Sequence, residues 1–142
     1  MLKTLPLLLS LLLSTSLLAQ WQWYAEETDP YTGKKGLVDQ LDGTVYIPLE
    51  YDAIAIWPED SLVTVTQGGK KGIFTIQGQR ILPTEYEAID LSGKMGGQLG
   101  LYGLQKGHRW GMANRAGKQV LPFEYEGVMA LTPDLLIGRT NG

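Results

Sequence analysis

The hydrophobic residues of this chain fall in short β-prone runs punctuated by glycine. Two such runs flank Asp42-Gly43, a dipeptide that predicts a hairpin because both of its positions tolerate positive φ. Leu62-Val63-Thr64-Val65-Thr66-Gln67-Gly68 reads as a strand running into a glycine turn, and residues 101–107 and 136–142 read the same way when aligned with it. That alignment sets Gly103 and Gly138 against Thr64. No stretch carries the apolar spacing of a long helix, and the 18 glycines argue for many turns.

The runs belong to a repeat. A seven-residue phrase occurs three times, as Pro48-Leu49-Glu50-Tyr51-Asp52-Ala53-Ile54, Pro83-Thr84-Glu85-Tyr86-Glu87-Ala88-Ile89 and Pro122-Phe123-Glu124-Tyr125-Glu126-Gly127-Val128. Each copy follows an opening run, beginning Lys35-Gly36-Leu37, Lys71-Gly72-Ile73 or Trp110-Gly111-Met112. Tyr51 and Tyr86 are 35 residues apart, Tyr86 and Tyr125 are 39 apart, and Gly78 to Gly117 and Pro83 to Pro122 are also 39 apart. Such fixed offsets mark a tandem array in which each unit packs on its neighbours. Gly36 to Gly72 is 36 but Gly43 to Gly78 is 35, so the first hairpin carries one extra residue near 40–42, read as a bulge. Within the phrase, the Tyr51 to Ile54 spacing and the proline followed by acids suggest one helical or 3-10 turn, then a short strand over Ala53–Trp57.

These features predict an all-β fold: a tandem repeat array of short antiparallel strands in three units, at about 35–68, 71–107 and 110–142 of a single domain spanning 20–142. An open stack and a closed ring both satisfy the pattern. In the ring, the aromatic segment 21–26 would pair with the orphan strand Leu135–Arg139 and remove two free edges.

Trp110-Gly111 opens a unit that runs through Asn114, Gly117 and Pro122 to Tyr125-Glu126, and this resembles the WG-repeat family. That family's units run approximately Trp-Gly-aliphatic-x-Asp/Asn-x-x-Gly-x-x-Val/Ile-Ile/Leu-Pro-x-x-Tyr-Asp/Glu. Asp39 and Asn114 match the polar position and Thr75 departs from it, while Lys35 and Lys71 stand in place of the tryptophan. The resemblance covers residues 35–142 and implies a β-rich tandem array. It implies no particular chemistry, because a fold does not fix a function.

The first residues have the three parts of a secretory signal: Lys3 in a short basic start, an apolar run over 5–18, and small residues up to Ala19. The run is shorter than the ~20 residues that span a bilayer, so cleavage after Ala19 or Gln20 is expected rather than membrane insertion. The mature chain is expected to be secreted or periplasmic. Losing Lys3 takes its net charge from −3 to −4, which offers no footprint for nucleic acid. The absence of cysteine excludes disulfides, thiolate metal sites and thiol nucleophiles.

Each candidate site residue has a structural reading beside its functional one. Tyr51, Tyr86 and Tyr125 recur with the repeat and are read as packing between units rather than as a ligand row. The acidic pairs Glu50/Asp52, Glu85/Glu87 and Glu124/Glu126 also recur. A catalytic or calcium pair needs one specialised environment, so they are read as a solvated face partly paired with Lys34-Lys35, Lys70-Lys71 and His108-Arg109. His108, the only histidine, sits in a turn where exposure is the default, and neither Ser61 nor Ser92 lies in a nucleophile elbow. No catalytic set, metal site or cofactor is expected. Trp21, Trp23 and Trp57 lie off the repeated positions, so the repeat does not require them; they are candidate contacts for a ligand or partner, or caps on the open end. The resulting expectation is an exported, non-enzymatic interaction module for a protein or peptide. The alternatives are an envelope carbohydrate-binding module using Trp21, Trp23 and Trp57, and an enzyme using the repeated carboxylates; the orphan Leu135–Arg139 edge adds strand-addition binding or dimerisation as a further hypothesis.

Overall fold

In a computed structural model the described residues are 23–91, 100–132 and 135–141. The signal segment 1–19, Trp21 and Ser92 lie outside them. Among the described residues, thirteen strands form four antiparallel sheets, with a single 3-10 turn at Pro58–Asp60. The first sheet holds β1 (Tyr24–Thr28), β2 (Lys35–Asp39) and β3 (Val45–Tyr51). The second holds β4 (Ala53–Trp57), β5 (Leu62–Gln67), β6 (Lys70–Thr75) and β7 (Arg80–Tyr86). The third holds β8 (Ala88–Asp90), β9 (Leu101–Lys106), β10 (Arg109–Asn114) and β11 (Gln119–Tyr125). The fourth is β12 (Gly127–Thr132) with β13 (Leu135–Arg139). Strand order follows chain order in every sheet. The sequence units are therefore out of phase with the sheets: the opening hairpin of each unit finishes one sheet, and its closing strands begin the next.

Three hydrophobic clusters join consecutive sheets. Leu37, Ile47 and Tyr51 meet Val63, Val65 and Phe74. Leu62, Ile73, Leu82 and Tyr86 meet Tyr102, Leu104 and Ala113. Leu101 and Met112 meet Val128, with Trp110, Tyr125 and Leu136 packed alongside. The two middle sheets are thus buried on both faces, which is why their strands read as nearly continuous apolar runs. The array is an open stack. Among the described residues, the pairing of 24–26 with Leu135–Arg139 that would close it is not formed: β1 neighbours β2 alone and β13 neighbours β12 alone. Each crossover steps one sheet further along, which leaves β1 and β13 in the two terminal sheets.

The repeated phrase is extended, not helical. Pro48, Pro83 and Pro122 lie inside β3, β7 and β11. The register jumps there: Lys35 opposes Tyr51 while Leu37 opposes Ile47, and the same slip occurs between Lys71–Tyr86 and Ile73–Leu82 and between Trp110–Tyr125 and Met112–Leu121. Proline suits such a bulge because the ladder does not need its missing N–H. The bulge carries the closing strand over the opening glycine. A Cβ at Gly72 would sit 2.9 Å from the Leu82 carbonyl oxygen and one at Gly111 2.7 Å from that of Leu121, with the Ile47 oxygen closer still to Gly36. The helical spacing of Tyr51 and Ile54 has another cause: the chain bends at Asp52, so the two residues belong to successive sheets.

The hairpin ends explain the family's polar position. Asp39 Oδ1 accepts from Leu41 N at 2.7 Å, Asn114 Oδ1 accepts from Ala116 N and Lys118 N, and Thr75 Oγ1 accepts from Gln79 N at 3.1 Å. Threonine thus performs the turn-closing role in which it departs from the pattern. Gly43, Gly78 and Gly117 take positive φ, whereas Asp42 does not. The extra residue of the first hairpin sits in the turn itself: Asp39 N bonds to Thr44 O, but Thr75 N bonds to Gln79 O and Asn114 N to Lys118 O.

Tyr51 meets Phe74 edge-on with ring centroids 5.8 Å apart, and Tyr86 lies 5.9 Å from Phe123, so the repeated tyrosines do pack between sheets. The third ring, Tyr125, lies over Gly138, where any Cβ would collide with it. This exposes a slip in the alignment made from sequence. Ala53 pairs with Thr66, Ala88 with Gln105 and Gly127 with Arg139, so Gly138 corresponds to Val65 and Leu104 rather than to Thr64 and Gly103. The glycine-for-glycine match misled because Gly138 replaces a core side chain to admit a ring.

Two substitutions separate glycines needed for close approach from those that are not. Gly36→Ala is expected to lower stability by about 1–3 kcal/mol, as overpacking does, while Gly127→Ala, with open space at its Cβ, stays within about 0.5 kcal/mol of wild type in urea unfolding. Tyr86→Ala in the central cluster is expected to cost about 3 kcal/mol. A Tyr86→Ala protein melting with the wild type would contradict the packing role.

Candidate functional site

The second acid of each pair occupies the corner between sheets. Asp52 N, Glu87 N and Glu126 N donate to the carbonyls of Thr66, Gln105 and Arg139, each at 2.8 Å. Their carboxylates then bind a base placed two residues before the opening glycine: Lys34 with Asp52, Lys70 with Glu87 at 3.1 Å, and Arg109 with Glu126 at 3.7 Å. Two also cap the next glycine turn. Asp52 Oδ2 accepts from Gly68 N at 2.7 Å, and Glu87 accepts from Gly107 N at 3.1 Å and His108 N at 3.0 Å. These acids are structural fasteners, and among the described residues no group of three or more His, Asp or Glu is placed to hold a metal ion. His108 is exposed, at positive φ, with Nδ1 3.6 Å from Glu87.

Of the three singled-out tryptophans, Trp23 and Trp57 lie among the described residues. Trp23 is about half exposed (51%), and its carbonyl accepts from Gln40 N at 2.7 Å. It lines a cavity of about 260 Å³ with Tyr24, Tyr46, Pro58, Ser61, Ile76 and Gln77. Tyr46 is fixed there by its hydroxyl, which donates to Asp39 Oδ2 at 3.0 Å; that bond, then burial, raises the Tyr46 pKa above its ordinary value. Trp57 caps β4, where its Nε1 donates to Thr64 Oγ1 at 3.3 Å, and is 38% exposed. The same groove between the second and third sheets holds about 150 Å³, lined by Asp60, Leu62, Ile81, Leu91, Tyr102 and Arg115. Leu62, Ile81 and Arg115 there correspond to Tyr24, Tyr46 and Ile76, so the first groove is aromatic by departure from the repeat.

The last sheet carries a second surface, of which the sequence offered the orphan edge at Leu135–Arg139 but not the apolar outward face. Met129, Leu131, Leu135 and Ile137 are 41–53% exposed. Val128, Ala130 and Leu136 turn inward to the third cluster. In the second sheet the Met129–Ile137 pair corresponds to Ala55–Thr64, and in the third sheet to Asp90–Gly103. Small or polar residues have thus become large apolar ones. Gly127, Val128, Met129, Ile137 and Arg139 line an open groove of about 240 Å³. On the other side of β13, no described strand pairs with its outer edge, although β6 and β10 cover the corresponding edges of β5 and β9. The signal was present in the chain, but the one-residue slip placed Ile137 at a core position and hid it.

Stacked sheets of short hairpins, each fastened to the next by a corner acid, define a tandem β-repeat protein. A family model for the WG containing repeat matches residues 36–70 and 110–132, so these two segments are WG repeats. The central unit lies outside those matches yet keeps the same bulge, corner acid and tyrosine. No match is found among curated proteins or solved structures.

The corner acids make stability depend on acid in a defined sense. The His108 N–H and then Lys70 hold the Glu87 pKa below its ordinary 4.5, and Lys34 with the Gly68 N–H hold Asp52 below 3.8. A carboxylate depressed on folding stabilises fully above its unfolded pKa and loses that contribution as pH falls through the folded value. Glu87→Gln should therefore melt below wild type near neutral pH, with the gap closing as pH falls below 4.5 and through the lowered folded-state pKa. A pH-independent gap in thermal melts would show that the charge at Glu87 is not what fastens the corner.

Proposed function

We propose that this chain is an exported, non-catalytic interaction module that recognises a protein or peptide as an added strand on its last sheet. The observation that carries this reading is the combination in β12–β13 of an unpaired strand edge with an apolar outward face. Folded proteins usually blunt such edges with charge, proline or cover, because a free edge recruits other strands. Contiguous exposed apolar residues on a soluble protein mark contact surfaces. Backbone pairing along β13 would supply affinity, and alternate side chains resting against Met129, Leu135 and Ile137 would supply selectivity. The corner carboxylates of Asp52, Glu87 and Glu126 have structural partners, which favours binding over catalysis. Export rests on the Lys3, apolar 5–18 and Ala19 pattern alone.

A second reading, carbohydrate recognition, is favoured by the cavity at Trp23, Tyr24 and Tyr46. Aromatic faces stack on the C–H faces of a sugar, and Ser61 and Gln77 offer hydroxyl partners. Its volume is below the ~300–1,000 Å³ of drug-sized sites, which suits one ring rather than a chain.

The two readings separate in one selection. Random extended peptides selected on immobilised protein should protect β13 amides from hydrogen exchange, and Ile137→Lys should weaken them about tenfold at unchanged melting temperature. Selected peptides that leave β13 unprotected, joined to a saturable neutral-sugar response of tryptophan fluorescence lost in Trp23→Ala, would replace the first reading with the second.

A further inference from the structure

The repeat itself identifies the kind of strand that fits the free edge of β13. The edges of β5 and β9 are covered by β6 and β10, the opening strands of the following units, with Val65 opposite Gly72 and Leu104 opposite Gly111. Gly138 holds the position of Val65 and Leu104, and Leu135 that of Leu62 and Leu101. Leu62 and Leu101 are buried, whereas Leu135 is half exposed at 51%. The outward face of the last sheet is also the face on which earlier sheets receive their successor, as Leu62 and Ile73 receive Leu104 and Tyr102. Both the pairing edge and the stacking face of a complete sheet are thus present, with their occupants absent among the described residues.

We infer that the strand this edge accepts is the opening hairpin of a WG-type unit. It is an extended segment of basic or aromatic residue, glycine, aliphatic, apolar and polar residue, followed by the proline-bearing return strand. It runs antiparallel to β13 with its glycine opposite Gly138 and its aliphatic residue opposite Ile137, as Gly72 and Ile73 stand opposite Val65 and Thr64. Glycine is demanded by the hairpin itself, because the bulged return strand leaves no room for a Cβ at that place. Selectivity therefore lies in a feature that a generic β-strand lacks. The inference rests on the strand-addition reading above and narrows it to one class of partner.

The test uses the mature chain and a labelled peptide copying Lys70 to Tyr86, the β6–β7 hairpin, with anisotropy to read binding and hydrogen exchange to locate it. Saturable binding with protection of β13 is expected, weakened about tenfold by Ile137→Lys in the protein and abolished by Gly72→Val in the peptide. If an unrelated alternating threonine–valine peptide binds β13 equally well, strand addition stands and the WG-type hairpin is overturned as its partner. If no peptide protects β13, strand addition falls together with the narrower inference. A twofold dimer through β13, seen as concentration-dependent sedimentation lost in Ile137→Lys, would also overturn the hairpin as occupant.

Discussion

Where the closing strand of each unit crosses the opening glycine, two backbones come too close for a side chain to fit between them. At Gly36, Gly72 and Gly111 the space a Cβ would need is filled by a carbonyl of the bulged strand. The bulge at Pro48, Pro83 and Pro122 then turns the chain so that it cannot continue the same sheet. It leaves through Asp52, Glu87 or Glu126 and starts the next. Without that crossing the hairpins would lie flat, and the tyrosines that follow would not reach the neighbouring sheet. The strictest requirement of the family pattern is thus steric, and tryptophan is the more dispensable half of its name: Lys35 and Lys71 replace it, and Lys35 pairs with Glu26 instead.

The corner acids convert this geometry into a directed stack. One carboxylate touches a base from the preceding hairpin, and two of the three also touch the turn of the following one. Opening a corner would release three segments at once, so exposed ion pairs of little individual weight act together with the backbone bond from the same residue. Cohesion then comes from the three apolar clusters, each shared by two sheets. No sheet has a complete core of its own, and neighbouring units depend on each other as in other quasi-one-dimensional arrays.

The first junction and the last described sheet are chemically distinct from the rest of the stack. At the first junction Tyr24 and Tyr46 replace the Leu62 and Ile81 of the next, and Trp23 adds a third ring. At the last sheet Met129 and Ile137 replace smaller or polar pairs.

The chain alone determined the number of units, the all-β class, the hairpin positions and the inter-sheet role of Tyr51 and Tyr86. Periodic spacing and turn chemistry are local properties, and they survive in a one-dimensional reading. The phrase around Pro48 was misread as helical because a three-residue spacing looks the same whether it follows a helix or straddles a corner between sheets. Of the candidate contacts, Trp23 was legible as an exception to the repeat, but the cavity around it needs Ile76 and Gln77 from the next sheet, which no spacing predicts. The open stack, the out-of-phase sheets, and the true register and apolar face of Leu135–Arg139 were decided only in three dimensions. Each depends on which strand lies beside which, and that is fixed by the packing of a ring over Gly138 and of backbone over glycine rather than by residue type along the chain.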